Sequence, residues 1–420
     1  MSQRDAILFV NTRRTTLEAQ PCFFAANSLG FDVVLLADHP IPLVPGLAAD
    51  TVITDTYDHD AALAAAKAVA ARRSVVGVLT WGDRDVETVA HIAQGLGLPG
   101  NSTEAAAAAR NKYQARELLK DTAPHLIPRF HRVRSSADLA SAVKEVGFPA
   151  ILKPTGASSS KGIFQVDDQA TLTAAFNRLM EFTQKATDPI FRYYPQELLL
   201  EEQLGGTEHS VEGIVVDGRV PVASVTDKWT LSPFYLEYLQ IHPSQLDPST
   251  LAQVELMASE VVRALGLKSG AIHLEFRHLP DGALKVLEMN ARTGGNFITS
   301  HLIPLSWGYD FLGEVIRVSA GAREAQPMPG ANKSFAGSIQ IISRQAGRFV
   351  GFGDLGGALA TPGIEHFTYE ISPGTEVKQP PDDFVTPILG SFIGRATDPH
   401  ELRDLLHRAA EKALPTVEAI

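Results

Sequence analysis

Short apolar runs alternate with helical patterns over the first hundred residues. Ala6 to Val10, Val33 to Ala37, Thr51 to Thr54 and Val75 to Thr80 read as strands, with Thr16 to Ser28 and Ala61 to Arg73 between them as helices. That alternation is the rhythm of a parallel sheet covered by helices. The Ala-rich stretch Ser102 to Lys120 predicts one helix ended by Pro124, and a domain boundary is placed near residues 110–125. Residues 135–147 predict a further helix closed by Gly147, followed by strands at Ala150–Lys153 and Ile163–Val166. Beyond them, Leu198–Leu204, His209–Val216 and Val220–Thr226 alternate as strands, residues 249–265 form an amphipathic helix, and His301–Ala320 reads as helical. Short strands with Gly and Pro turns then fill Ser334–Leu389 before a last helix, His400–Leu414.

The stretch Ala271–Asn296 carries the most information. Two alternating runs flank Asp281-Gly282, which predicts a two-residue hairpin turn. Symmetry about that turn sets Glu275 opposite Glu288 and His273 opposite Asn290. The other face, with Ile272, Leu274, Phe276, Leu287 and Met289, is apolar and belongs in a core. Two carboxylates facing each other are destabilising unless something cationic lies between them. Two carboxylates and an amide suit a hard cation such as Mg²⁺, so Glu275, Glu288 and Asn290 are a candidate nucleotide-metal site. Arg292 follows, a fork for phosphate or carboxylate, and then Gly294-Gly295, where backbone N–H groups can approach an anion. A hairpin with a solvated charged face is the plainer alternative.

Composition narrows the class. The 420 residues suggest two to four domains, and 45% hydrophobic with 20% charged residues describe a globular chain. The net charge of −11 argues against nucleic acid or an anionic membrane as partner. The lone cysteine, Cys22, rules out an intrachain disulfide framework and reads as a buried structural thiol in PCFFAA. No run approaches a membrane span or a secretory leader, so a cytoplasmic enzyme or binding protein is expected. Asn11-Thr12-Arg13-Arg14 follows the first strand in place of a glycine fingerprint, so no dinucleotide site is indicated. Thr80 to Asp85 sits at a strand end, as ligand loops do in open α/β sheets, and equally reads as a polar strand-to-helix turn.

Two lysines and a loop complete the chemistry. Lys153 ends a strand before Gly156-Ala157-Ser158-Ser159-Ser160-Lys161-Gly162, small residues whose N–H and hydroxyl groups can wrap a triphosphate. It is not a Walker loop, because Lys161 is followed by Gly162 and a strand. Together with Lys112 in NKYQAR, ILKP, ELLLEEQLGGTEHSVEG, HLEFR and LEMNARTGG, the chain resembles the ATP-grasp superfamily of carboxylate–amine ligases over nearly its whole length, with the L-amino-acid ligases as the nearest likeness.

The resemblance implies an α/β (α+β overall) ATP-grasp fold: an N-terminal parallel-sheet domain over 1–110, a central ATP-binding subdomain over 111–200, and a C-terminal antiparallel region over 201–420. It implies ATP and Mg²⁺, or Mn²⁺, as cofactors. Lys112, Lys153, Ser158, Ser159, Ser160 and Gly162 would hold phosphates, Glu201, Glu202 and Leu204 adenine, and Glu208 the ribose. Glu275, Glu288 and Asn290 would bind metal. Arg292, Gly294 and Gly295 would be catalytic, and His273 and Asn296 would meet substrate, with Phe297 beside them. A carboxylate would attack the γ-phosphoryl group to give an acyl phosphate, which an amine then displaces. His209, His273 and Glu212 are candidate bases. The implied partners are small molecules, with a homodimer by resemblance alone. Two rival readings stand: a carboxylase or purine-pathway ligase using bicarbonate or another small carboxylate, and a non-catalytic nucleotide-binding regulator.

Overall fold

The computed structural model describes residues 4–185 and 189–420. The first sheet is parallel, in the order β3-β2-β1-β4, built from β1 (Ala6–Val10), β2 (Asp32–Ala37), β3 (Asp50–Ile53) and β4 (Val75–Thr80). Its central strands are unbroken apolar runs because helices cover both faces: β1 is buried at every position. The helices α1 (Thr16–Ser28), α2 (His59–Ala70) and α3 (Val86–Leu96) pack there, α2 started by Asp58, whose carboxylate accepts from Asp60 and Ala61 N–H. Cys22 lies in this core, and burial pushes its thiol pKa up. The loops Asn11–Arg14 and Trp81–Asp85 leave the carboxyl ends of β1 and β4, where such sheets place ligands.

The predicted helix over 102–120 is two helices, α4 (Thr103–Arg110) and α5 (Lys112–Thr122). Asn111 breaks it: its extended backbone ends α4 while its side chain accepts from Gln114 N–H at 3.1 Å and caps α5. Lys112 thereby becomes the first residue of a helix, tied by its N–H to the Thr155 carbonyl at 2.9 Å. The second sheet is antiparallel, ordered β5-β8-β6-β7, from β5 (Phe130–Val133), β6 (Ala150–Pro154), β7 (Phe164–Val166) and β8 (Leu198–Glu202). The Ser/Gly loop joins β6 to β7.

The third sheet has eight strands. The chain supplies β9 (Thr207–Val216), β10 (Arg219–Leu231), β11 (Leu236–His242), β12 (Ser269–His278), β13 (Leu284–Asn290) and β14 (Phe335–Ile342). It then runs through β15 (Gly347–Phe352), β16 (Ile364–Tyr369), β17 (Glu376–Val377), β18 (Ile388–Ala396) and β19 (Pro415–Glu418). The large sheet is ordered β13-β12-β9-β10-β11-β14-β18-β16, and β17-β15-β19 form a small one. Asp227-Lys228-Trp229 lies within β10.

The hairpin β12–β13 pairs His273 with Asn290 and Glu275 with Glu288, as the symmetry argument expects. Its turn is different. The connection is five residues, 279–283, with only Gly282 at positive φ, and Leu287 is an extra residue on β13, since Phe276 pairs with Val286. The bulge offsets the longer turn and so restores the register at the acids. It also takes Leu287 out of the expected core face and onto the cavity wall. His301–Ala320 is not one helix: a wide turn at Ile298–Leu302 runs into Ile303–Trp307, Gly308 ends that piece in a left-handed conformation, and a separate helix spans Phe311–Ser319.

Candidate active site

The three sheets surround one cavity of about 700 Å³. Lys112, Lys153, Ser158, Ser159, Ser160, Glu201, Glu202, Leu204, Glu208, His273, Glu275, Glu288, Arg292, Gly295 and Asn296 all line it. Gly162, Gly294 and Asn290 are not among the lining residues.

On the nucleotide-like side, Lys153 Nζ lies 2.5 Å from Glu201, which also accepts from Arg116 Nε at 2.6 Å. Burial pushes the Glu201 carboxyl up, but Arg116 and Lys153 outweigh it and hold the group below its ordinary pKa. Glu201 is therefore occupied by cations, and any adenine contact along β8 falls to the backbone. Arg116 is a residue the sequence reading missed; its NH2 also donates to the Leu287 carbonyl at 2.8 Å, at the bulge. In the loop, Ser159 and Ser160 adopt positive φ, and Ser160 Oγ donates to the Tyr235 carbonyl at 2.8 Å. Gly162 turns away from the cavity: a Cβ there would lie 2.9 Å from Leu179, so glycine serves the packing of the loop's root.

The acid pair carries two separate neutralising lysines. Lys112 Nζ is 2.8 Å from Glu288 and 2.6 Å from the Ala157 carbonyl, bridging the hairpin to the loop. Lys228 Nζ, buried, is 2.6 Å from both Glu275 and Glu237. Burial lowers the Lys228 pKa, yet the surrounding acids win and raise it. Lys228 was given no role from the sequence; its alternating position on a strand rich in apolar residues was the available signal. Glu208, Glu237 and Glu275 form a second acidic cluster around it, close enough to share one cation. Glu208, expected at the ribose, lines the cavity and pairs with Arg277 at 2.8 Å, and burial with Glu275 nearby pushes its pKa up to about 7.

His273 bridges Glu212 at 2.5 Å and Glu275 at 3.0 Å. Burial opposes its charge, but Glu212 and Glu275 raise its pKa to about 9, so it stands as an imidazolium and not a base. Glu212 is fully buried and accepts the Gly294 N–H at 2.8 Å. This corrects the expectation for Gly294: its N–H is committed to Glu212, and a Cβ there would come 2.5 Å from that carboxylate, while Gly295 alone lines the cavity. His209 lies away from the cavity, hydrogen-bonded to Asp227 at 2.8 Å and stacked on Phe276.

Arg292 is fixed from the N-terminal sheet. Its Nε and NH2 fork onto Asp83 at 2.7 and 2.8 Å, and NH1 donates to the Thr293 carbonyl at 2.8 Å. The loop Thr80–Asp85 thus lends an acid to the site, beyond a plain polar turn. Asn296 sits at positive φ, donates to Glu237 at 2.7 Å and accepts from Gln340 at 3.0 Å. Phe297, expected beside substrate, is 1% exposed and packs in the core under the first sheet.

Comparison with known proteins bears on this arrangement. Residues 146–301 match the family described as ATP-grasp domain, and residues 23–100 match the ATP-grasp N-terminal domain, together more than half of the chain. The chain belongs to the ATP-grasp superfamily. Its ATP-grasp fold superposes on the crystal structure of L-amino acid ligase from Bacillus licheniformis with a TM-score of 0.82 and 21% identity, covering 100% of both chains. Among curated proteins it is 27% identical to carnosine synthase 1 of Homo sapiens over 336 residues, 76% of this chain and 40% of that protein. It is 28% identical to alanine--anticapsin ligase of Bacillus subtilis over 239 residues, 54% of this chain and 50% of that protein. The chain spans half or less of the length of these two relatives.

Proposed function

We propose that the protein is an ATP-dependent ligase that activates a carboxylate, an amino acid by its likeness to amino-acid ligases, as an acyl phosphate and joins it to the amine of a second amino acid. The observation that carries this reading is the pair Glu275 and Glu288, held face to face on the cavity wall with Lys112 and Lys153 lining the same space and Lys228 buried behind Glu275. Acids so placed need cations, and cations so gathered suit a polyphosphate.

The donor set fits a hard divalent ion. Glu275, Glu288 and the Asn290 amide would hold Mg²⁺ or Mn²⁺, since the Asn290 amide already touches Glu288 at 2.5 Å and turning it over presents its oxygen. Such an ion, when bound, neutralises charge on the transferring phosphoryl group. Lys112, bonded to both Glu288 and the Ala157 carbonyl, would meet a phosphate together with the Ser158–Ser160 loop. A carboxylate oxygen then attacks the γ-phosphorus and ADP leaves. Arg292, immobilised by Asp83, keeps its charge beside the reacting group throughout. The amine next attacks the acyl carbon, phosphate departs with the C–O electron pair, and the amine's proton is lost to solvent or to the leaving phosphate. The first step requires no protein base, in keeping with a protonated His273.

The bicarbonate reading predicts no second amino acid. A panel of amino acids, singly and in pairs, with ATP and Mg²⁺ decides between them: phosphate release that requires a pair, with a product one water lighter than their sum, supports the ligase. Release with bicarbonate alone overturns it, and ATP binding without release under any condition marks a regulator. A cytoplasmic setting and a homodimer go with the ligase reading, the latter open to sedimentation.

A further inference from the structure

The loop after β1 contributes a cation that the nucleotide chemistry does not use. Arg13 lines the cavity beside Gly295 and Asn296. Its NH2 donates to the Thr293 carbonyl and Thr293 Oγ1, both at 2.7 Å, and to the Gly294 carbonyl at 2.6 Å. These are neutral acceptors, all on one nitrogen. Among the described residues no carboxylate forms an ion pair with Arg13, in contrast with Arg292, which is forked by Asp83, and Arg14, which pairs with Glu370. A cation taken out of water without a carboxylate in direct contact is costly, and a second guanidinium nearby adds to the cost. Burial pulls the Arg13 pKa down and outweighs the opposing charge of nearby Glu18, and the charge of Arg292 lowers it further. The neighbouring Thr12 hydroxyl, on the same wall, is buried without a partner.

Such a corner wants an anion supplied by a ligand. Two carboxylates enter the proposed reaction. The one that is activated loses its charge as the acyl phosphate forms, so a permanent cation on it would hold the ground state more tightly than the transition state. The carboxylate of the amine substrate survives into the product and stays charged throughout. A fixed guanidinium suits it at every stage.

Resting on the ligase reading, we infer that Arg13 is the receptor for the retained carboxylate of the amine substrate, so that this substrate is an amino acid and not a simple amine. Arg13 is on this account a specificity determinant, and the turn Thr293–Gly294 that binds its NH2 aims the remaining nitrogens at the ligand.

The test compares each of the twenty amino acids, as free acid and as its carboxamide, in the amine role. A carboxamide keeps the amine, cannot be activated, and lacks the negative charge. In the wild type, kcat/KM for the amine is expected to favour the free acid by about tenfold or more, the range of a charge-assisted hydrogen bond. In Arg13→Gln that ratio should collapse towards one, and Arg13→Lys should restore part of it. An equal fall for acid and carboxamide in Arg13→Gln would mean a structural role or a hold on the reacting carboxylate, and would overturn the inference, as would an unchanged ratio. A wild type that turns over no pair defeats the ligase reading instead. Thermal protection by free acid against carboxamide, in the presence of a non-hydrolysable ATP analogue, reads the Arg13 preference without turnover: no preference in the wild type sinks it.

Discussion

Glu275 and Glu288 face each other across one strand pair, yet they are held in different ways. Glu275 is gripped from within its own sheet: Lys228 two strands away on β10, and His273 two residues earlier on β12. Those two cations outweigh burial and keep its pKa well below the ordinary carboxylate value. Glu288 is held across a boundary by Lys112, which begins a helix and also ties down the Ser/Gly loop. A contact within a sheet is as rigid as the sheet, whereas one between sheets changes when either side moves. The comparison teaches that Glu275 is a fixed station and Glu288 the adjustable one.

The largest effect should come from breaking the fixed station. Lys228→Met leaves the half-buried Glu275 and Glu237 beside each other without their cation, which is expected to lower unfolding stability by about 3 kcal/mol and to abolish turnover. Urea unfolding measures it; a loss no larger than that of Lys112→Met would break the contrast. Next comes Glu288→Gln, which removes a charge from the adjustable station. Turnover should fall about a thousandfold or more while the far-ultraviolet circular dichroism stays that of the wild type. Normal phosphate release by the folded variant would overturn the metal assignment.

Asp83→Asn should act less severely. It keeps the shape but removes the charge of the carboxylate that pairs with Arg292, and kcat is expected to fall about a hundredfold with a smaller change in KM. The smallest effect sharpens the rule that cations decide the direction of a shift. Asp85 is buried with Arg84 at 3.3 Å, Asn11 at 2.9 Å and Thr56 as partners, and burial outweighs them to push its pKa up to about 6. A carboxyl raised in the folded state stabilises fully below its unfolded value, near 4, and loses that contribution as pH rises through about 6. Asp85→Asn should therefore gain stability relative to the wild type above pH 6 and not at lower pH, by urea unfolding at several pH values.

Much of this was legible in the chain because it was local. The parallel first sheet showed in unbroken apolar runs, and the opposition of Glu275 to Glu288 followed from strand symmetry. That register survived a wrong turn, since the Leu287 bulge compensates a connection of five residues, 279–283, where Asp281-Gly282 suggested two. What stayed hidden was long-range. Asp83 meets Arg292 across 209 residues, and Arg116 meets Glu201 across 85. Neither carries a local pattern, for an acid in a turn or an arginine on a helix ordinarily means only solvent. Gly294 was misassigned for a related reason: a glycine pair promises free N–H groups, but nothing local reveals that Glu212 claims one of them. The break at Asn111 was readable in principle, as an asparagine cap within an otherwise helical run.

The most direct test of the ligase account follows an oxygen atom. With the productive acid labelled by ¹⁸O in its carboxylate, phosphorus nuclear magnetic resonance of the released phosphate reports where that oxygen goes. Activation as an acyl phosphate in this cavity predicts one ¹⁸O in each phosphate released, with ADP as the other product. Phosphate free of ¹⁸O while amide accumulates would contradict it.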